Sequence, residues 1–172
     1  MRQAQAGQLT LYFFDESGFN PNPPLQSGWS LRGTTRSYCP VSHRERVNVL
    51  GCLQKGAGLV WETLTHTVQR TDVIAFFDRL AAQMTRNTIV VLDNAAIHRG
   101  AAMREKQAQW EKKGLLLWYL PPYSPELNAI EILWKHAKYF WRRFLALSGL
   151  ELQHEVDALM RGFGSEHTIT FQ

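Results

Sequence analysis

Cysteine is scarce in this sequence, and long apolar runs are missing from it. The two cysteines, Cys39 and Cys52, have no Cys or His arrangement of zinc-finger type around them, and their spacing does not indicate a disulfide. We expect two buried or idle thiols, which suit a reducing cytoplasm. Residues 1–7 lack the apolar run of a signal peptide, and no stretch reaches the roughly 20 apolar residues of a membrane span. The sequence therefore predicts a soluble, cytoplasmic protein without a membrane partner.

The sequence also lacks the short motifs of several large enzyme classes. It contains no Gly-x-Ser-x-Gly elbow, no Walker phosphate loop and no Gly-x-Gly-x-x-Gly fingerprint, and it has no internal repeats. With 45% hydrophobic and 20% charged residues, it can bury one proper core, so we predict a single domain over residues 1–172. Its net charge of +4 allows a polyanionic partner without requiring one.

Five apolar segments predict the strands of a mixed sheet; they span residues 9–14, 47–53, 59–65, 88–92 and 115–120. The first is rich in β-formers and is expected to end where Asp15 follows it. The second and third flank a short loop that contains glycine, which is typical of a β-hairpin and indicates an antiparallel meander. The last two alternate with helix-like segments, as parallel strands with covered faces do. We therefore predict an α/β fold with a five-stranded sheet flanked by helices.

Four segments of helical period accompany these strands; they span residues 71–86, 100–113, 125–147 and 150–161. We expect Thr71 to cap the first helix and Gly114 to end the second. Residues 20–33 hold prolines and glycines, and they predict a long loop between the first strand and the hairpin.

The segment after the last strand gives one acid a defined position. Pro121 and Pro122 stop the strand, because proline offers no ladder donor. Ser124 is expected as the N-cap of the third helix, with Pro125 at its first position. Glu131 then lies in the second helical turn, beside the sheet edge at which the strand ends.

Three acids are therefore expected together: Asp15, Asp93 and Glu131. The functional crevice of an open α/β sheet lies outside the carboxyl ends of its strands, and Asp15 and Asp93 follow two strands that we expect to be neighbours. Such carboxylates repel one another unless cations compensate them. All-oxygen ligands select Mg²⁺ or Mn²⁺, and two such ions can clamp the attacking and leaving oxygens of a phosphoryl displacement. The pattern predicts a two-metal phosphodiester site.

Each acid also has a structural interpretation that the sequence leaves open. An Asp at a strand end often bonds a local turn, and the Asn94 that follows Asp93 suits a tight turn equally well. An i,i+4 salt bridge with Lys135 would account for Glu131.

Three residues near the acids are set aside. Glu126 is expected to complement the helix dipole. Glu16 is expected to face away from Asp15, because adjacent strand residues point to opposite sides. Tyr123, flanked by prolines, is expected to be a packing residue rather than a nucleophile.

Further candidates for support of the site are Asn94, His98 and Asn128. His98 either helps hold a metal-bound water or a phosphate, or it simply starts the next helix. Asn128 either binds near the metals or bonds the proline turn. The sequence does not separate these alternatives.

The third helix carries a basic stripe that starts at Glu131. Lys135, Lys138 and Arg142 share its face, whereas the other side is apolar and consists of Ile130, Leu133, Trp134, Ala137 and Trp141. The stripe is explained either as a solvated face or as a set of cations that neutralise DNA phosphates without reading sequence.

Together these residues resemble the catalytic domain of DDE transposases of the mariner superfamily, specifically bacterial insertion-sequence family 630. The residues that carry the resemblance are the 15–19 segment (Asp-Glu-Ser-Gly-Phe), Gly28, Trp29, Gly33, the 91–94 segment (Val-Leu-Asp-Asn), His98, the 120–128 segment (Leu-Pro-Pro-Tyr-Ser-Pro-Glu-Leu-Asn), Ile130, Glu131 and Trp134. The match spans residues 9–145. The resemblance implies a ribonuclease H-like fold with Asp15, Asp93 and Glu131 as the metal-binding triad. It implies DNA cleavage at element ends and attack of the freed 3′-hydroxyl on target DNA, by a homodimer on DNA at the bacterial nucleoid.

The sequence departs from this family in two respects. The segment between Asp93 and Glu131 is slightly longer than is usual. Family members begin with helix-turn-helix domains that recognise the terminal repeats, and this chain starts almost at the first catalytic strand. We therefore expect the helix-turn-helix half to be encoded upstream, or the chain to be a truncated copy. Two alternatives to a transposase are a ribonuclease H-like nuclease without strand transfer and a regulatory fragment that binds DNA.

Overall fold

The computed structural model describes residues 9–20, 46–141 and 149–163 of the chain. In chain order, the elements are β1 Thr10–Phe19, β2 Val47–Gln54, β3 Gly58–Leu64, α1 Arg70–Gln83, β4 Thr88–Leu92, α2 Ala101–Lys112, β5 Leu115–Tyr119, α3 Ile130–Trp141 and α4 Gly149–Gly162. Short 3-10 turns follow β4 at Ala96–His98 and β5 at Pro125–Leu127. None of the helices in these ranges is long and apolar enough to cross a membrane.

Several expectations concern residues outside the described ranges. They include Cys39, Arg142, most of the loop expected over residues 20–33, and the last part of the third helix, residues 142–147. Cys52, in contrast, is described as a buried free thiol, as expected.

The five strands form one sheet in the order β3-β2-β1-β4-β5. Strands β1, β2 and β3 pair antiparallel, whereas β4 pairs parallel with both β1 and β5. The predicted mixed five-stranded sheet, with its meander and its parallel half, is therefore confirmed.

Strand β1 is longer than predicted, and the prediction that it ends at Asp15 is wrong. Its parallel pairing with β4 stops at the Phe13 to Val91 pair, but its antiparallel pairing with β2 continues from Asp15, opposite Gly51, to Phe19. The ladder with β2 satisfies the backbone of this second half, so the chain stays extended. Asp15 thus lies two residues after the last β1 residue that pairs with β4, in the part of β1 that pairs only with β2.

The helix that carries Glu131 begins later than predicted. Ser124 and Pro125 start only the short 3-10 turn, and the side chain of Ser124 makes no capping hydrogen bond. The turn closes when the backbone N–H of Asn128 donates to the carbonyl of Pro125, and α3 then starts at Ile130. Glu131 consequently lies in the first turn of α3 and not in the second.

The first helix differs from its prediction at both ends. It begins at Arg70 after the N-cap Gln69, one residue before the expected cap Thr71, and it ends at Gln83 instead of near residue 86. The carboxylate of Asp72 accepts the backbone N–H of Gln69 at 2.7 Å, which satisfies one of the free donors at the helix start.

The two faces of the sheet bury two separate apolar clusters. One lies under α3 and α4, and the other under α1 and α2. Helix α3 crosses β2 at Gly51, where an added Cβ would meet the ring of Trp134 at 2.7 Å. The missing side chain lets the helix approach the sheet beside Asp15.

Candidate active site

Asp15, Asp93 and Glu131 line one cavity of about 430 Å³. Each comes from a different element: Asp15 from the middle of β1, Asp93 from the residue after β4, and Glu131 from the first turn of α3. The remaining wall includes Asn94, Arg99, Asn128 and the proline-rich segment 120–125. The structure therefore brings together the three acids that the sequence singled out.

The two acids that were set aside lie elsewhere. Glu126 is exposed on the 3-10 turn, and Glu16 points away from the cavity and contacts His98. The described residues contain no ion pair between Glu131 and Lys135 that would account for Glu131.

Asp15 is a half-buried carboxyl with one side-chain hydrogen-bond donor. The indole Nε1 of Trp134 donates to its Oδ2 at 3.1 Å. Burial raises the pKa of Asp15 to about 7, and the neighbouring charges of Glu16, Glu131 and Asp93 contribute to the rise. Negative charge at this carboxyl is therefore under-compensated in the protein alone.

Asp93 is held by groups behind the cavity. Its Oδ1 accepts the backbone N–H of Ala95 at 2.9 Å and the Nδ1–H of His98 at 2.7 Å. The hydrogen bond from His98 is the main cause of the lowered pKa of Asp93, and that from Ala95 adds to it. In contrast to Asp15, this carboxyl is stabilised in its ionised form.

His98 is fully buried between two carboxylates. Its Nδ1 faces Asp93, and its Nε2 faces Oε2 of Glu16 at 3.2 Å. Burial alone would lower the pKa of His98, but the hydrogen bonds to Asp93 and Glu16 outweigh it and raise that pKa to about 9. His98 lies behind Asp93 and outside the cavity wall, which favours the structural interpretation of this residue.

Two asparagines join the strand ends to the turn segments. The Nδ2 of Asn94 donates to the carbonyl of Leu120, and Arg99 donates to the Oδ1 of Asn94. The Nδ2 of Asn128 donates to the buried carbonyl of Phe14 at 3.0 Å. Asn128 therefore bonds the proline turn through its backbone N–H and β1 through its side chain. Asn128 also lies on the cavity wall, and its buried Oδ1 has no partner among the described residues.

Helix α3 presents an exposed basic side and a buried apolar side. Lys135 and Lys138 are exposed, and the apolar side is buried as predicted at Ile130, Leu133, Trp134 and Ala137. The third member of the predicted stripe, Arg142, is outside the described residues. The side chain of Trp141 is also outside them.

Sequence reasoning missed three features of this site and predicted a fourth wrongly. The pairing of Glu16 with His98 and the indole bond of Trp134 to Asp15 each join residues far apart in sequence, and no local pattern signals them. Gly51 did carry a signal, because a glycine inside a strand often marks a close backbone approach. Tyr123, expected to pack, is instead fully exposed.

The donor chemistry of the cavity suits a hard divalent cation. In the described residues, no three His, Cys, Asp or Glu side chains are close enough to form a ready-made ion site. Asp15, Asp93 and Glu131 nevertheless offer only oxygen donors to one cavity, and Mg²⁺ and Mn²⁺ bind such donors while retaining several waters. The raised pKa of Asp15 is the second sign that the residues fit a cation.

Comparison with known proteins adds a family and a fold. The chain matches the family described as DDE superfamily endonuclease over residues 10–151. A protein of Shigella sonnei, described as an uncharacterized 39 kDa protein of insertion element IS630, is 30% identical over 129 residues, which are 73% of this chain and 36% of that protein. The chain thus spans about a third of that relative's length.

Solved structures of transposases share the fold. A chain of the Mos1 strand transfer complex superimposes with a TM-score of 0.72 at 17% identity, over 96% of this chain and 51% of that one. The catalytic domain of Mos1 mariner transposase gives 0.66 at 14% identity, over 96% and 75% of the two chains. The predicted ribonuclease H-like fold and the predicted family are both confirmed. With its match over residues 10–151, the chain belongs to the DDE superfamily endonucleases.

Proposed function

We propose that this chain is the catalytic domain of a transposase that cuts DNA at element ends and joins the freed 3′-hydroxyl to target DNA. The observation that carries the proposal is the cavity shared by Asp15, Asp93 and Glu131, three acids from three separate elements. Membership of the DDE superfamily endonucleases supports the reaction class. The relative from an insertion element and the Mos1 strand transfer complex support transposition as its purpose.

The three acids would hold Mg²⁺ or Mn²⁺, and we propose two ions. Such ions supply Lewis-acid stabilisation of the attacking and leaving oxygens of a phosphoryl transfer. The chain's own residues prepare the acids: Trp134 orients Asp15, and His98 keeps Asp93 ionised. Solved Mos1 paired-end complexes are described with Mn and with Mg, which supports this choice of cations.

Lys135 and Lys138, exposed on α3 in the turns after Glu131, are proposed contacts for the DNA backbone, together with Arg142. They would neutralise phosphates irrespective of base sequence. Asn94, His98 and Asn128 are proposed to support the acids and not to react themselves.

The proposal also includes partners and a setting. A Mos1 structure is described as a paired-end complex with the left transposon end, which supports DNA as a partner. We propose that the chain binds this DNA as a homodimer. We propose that residues 1–172 form one catalytic domain and that a helix-turn-helix half recognises the element ends. The proposed setting is the bacterial cytoplasm, at the nucleoid.

Charge-neutral substitutions test the triad in the full chain. Asp15→Asn, Asp93→Asn and Glu131→Gln should each abolish Mn²⁺-supported joining of a 3′-hydroxyl oligonucleotide to a second duplex. Glu126→Gln is the matched control, because Glu126 is an exposed acid that directly follows the cavity-lining segment 120–125 and does not itself line the cavity. This variant should join DNA as the wild type does. Activity retained in any of the three acid variants refutes the assignment of that acid.

The products separate the competing functions. Joined DNA supports a transposase, whereas cleavage without joining supports a ribonuclease H-like nuclease. A chain that binds DNA but neither cleaves it nor binds Mn²⁺ in calorimetry would be a regulatory fragment.

A further inference from the structure

We propose that Tyr123 is a stacking platform for an unpaired nucleobase at the mouth of the acid cavity. This contact rests on the proposed function, because it would hold the DNA strand whose phosphate reaches the acids. Three observations on one residue carry it: complete exposure of the ring, a left-handed backbone and a position on the wall of the cavity.

The exposure of Tyr123 is unusual for so large a side chain. Its relative exposure is 100%, compared with 60% for Trp118 and 59% for Tyr139, the two other exposed large aromatic residues in the described ranges. A proline-flanked aromatic ring gains free energy when it packs against its own protein, and this ring does not do so. Both of its faces are therefore available to a ligand.

The backbone of Tyr123 holds the ring outward. Its φ is +58°, and in the described residues it is the one non-glycine residue with a positive φ. A side chain makes this conformation costly, and such strain concentrates at functional sites. Pro121 and Pro122 precede it and Pro125 follows shortly, so the segment has little freedom to relax. The ring is thus carried on a stiff support.

The cavity wall and helix α3 also carry cations that suit a nucleic-acid strand. Arg99 lies on the wall of the same cavity, and Lys135 and Lys138 are exposed on α3. Aromatic rings beside cations are how proteins hold single-stranded nucleic acid, because every base has a flat π-face and every nucleotide has a charge. Tyr123 lies on the wall of the cavity that holds the acids, so an unpaired base next to a phosphate in that cavity would lie beside its ring.

A binding assay tests this contact in the full chain, with Ca²⁺ present to hold DNA without turnover. The probes are a blunt duplex and the same duplex with a short 3′ overhang that carries 2-aminopurine, whose fluorescence falls when it stacks. Tyr123→Ala should weaken overhang binding about five- to a hundredfold and abolish the quenching, while blunt-duplex binding stays unchanged. Tyr123→Phe keeps the ring and should bind like the wild type.

Trp118→Ala is the matched control, since it removes an exposed aromatic ring that does not line the cavity. It should leave overhang binding unchanged. Equal binding of overhang by wild type and Tyr123→Ala overturns the proposal, and so does a Tyr123→Phe chain that binds as poorly as Tyr123→Ala. A wild-type chain with no preference for the overhang overturns it as well.

The outcomes also separate this contact from the proposed reaction. If joining depends on Asp93 but Tyr123→Ala binds overhang normally, the stacking role is refuted and the reaction stands. If the wild type joins no DNA, while Tyr123→Ala loses binding of the overhang duplex and keeps binding of the blunt duplex, the reaction is refuted and the stacking contact stands.

Discussion

Removal of one negative charge from the cavity should stabilise the metal-free protein. Asp15→Asn is the suitable change, because the Asn Oδ1 can still accept the indole N–H of Trp134 while the charge is gone. The pKa of Asp15 rises from 3.8 to about 7 in the folded protein. A rise of about three pH units corresponds to about 4 kcal/mol of destabilisation by the ionised carboxylate. Solvent access to this half-buried group reduces the expected gain to about 2 kcal/mol.

The pH dependence of the gain follows from the direction of the shift. Above about pH 7, Asp15 is ionised in the folded and unfolded chains, so the wild type carries the full cost of the charge. As the pH falls from 7 towards 4, the folded wild type takes up a proton before the unfolded chain does, and it gains stability. The advantage of the variant is therefore greatest above pH 7 and is lost by about pH 4.

Urea unfolding in EDTA, followed by circular dichroism at about pH 8 and about pH 4.5, measures this difference. Glu126→Gln, which removes an exposed charge, should show no such advantage at either pH. Added Mn²⁺ should stabilise the wild type more than Asp15→Asn, because the cation relieves the cost that the variant no longer has. A variant that is less stable than the wild type at pH 8, or equally favoured at both pH values, would refute the reasoning.

Two further predictions concern helix α3. Gly51→Ala should lower the free energy of unfolding by about 1–3 kcal/mol, because the new methyl group would meet the Trp134 ring at 2.7 Å. Urea unfolding measures this loss, and Ala57→Ser in the nearby hairpin turn serves as the control. The double change Lys135→Ala with Lys138→Ala should weaken binding to all DNA sequences and reduce the slope of log affinity against log salt by about two, as measured by fluorescence anisotropy at several salt concentrations. An unchanged slope would mean that these lysines do not contact phosphates.

The sequence was most informative where local signals were strong. Strand β4 was predicted with its observed bounds, Thr88–Leu92, because an apolar run lies between polar residues on both sides. Gly114, with φ of +86°, follows α2 as expected. Strand β1 was predicted too short because its second half is stabilised by pairing with β2, and the β-propensity of single residues does not reveal such a partner.

The geometry of the site was harder to predict than the identity of the residues that form it. Carboxylates after two strands and near a helix start could be assigned to one edge, because strand direction and sheet order determine where strand ends meet. The carboxyl of Asp15 accepts a hydrogen bond from Trp134, 119 positions later. His98, which holds the carboxyl of Asp93, is itself held by Glu16, 82 positions earlier. The start of α3 was misjudged because Pro125 is compatible with a 3-10 turn as well as with an α-helix.

The hydrogen bond between Trp134 and Asp15 also bears on the order in which the protein folds during its synthesis. These residues are 119 positions apart, and Asn128 reaches the carbonyl of Phe14 across 114 positions. Contacts of such separation close large loops, and the entropy of loop closure is lost before the contacts can form, so we expect them to form late in folding. During synthesis, Asp15 and Asp93 leave the ribosome well before the helix that completes their cavity. A nascent chain therefore holds two of its three acids without the cavity wall that α3 and the segment before it complete.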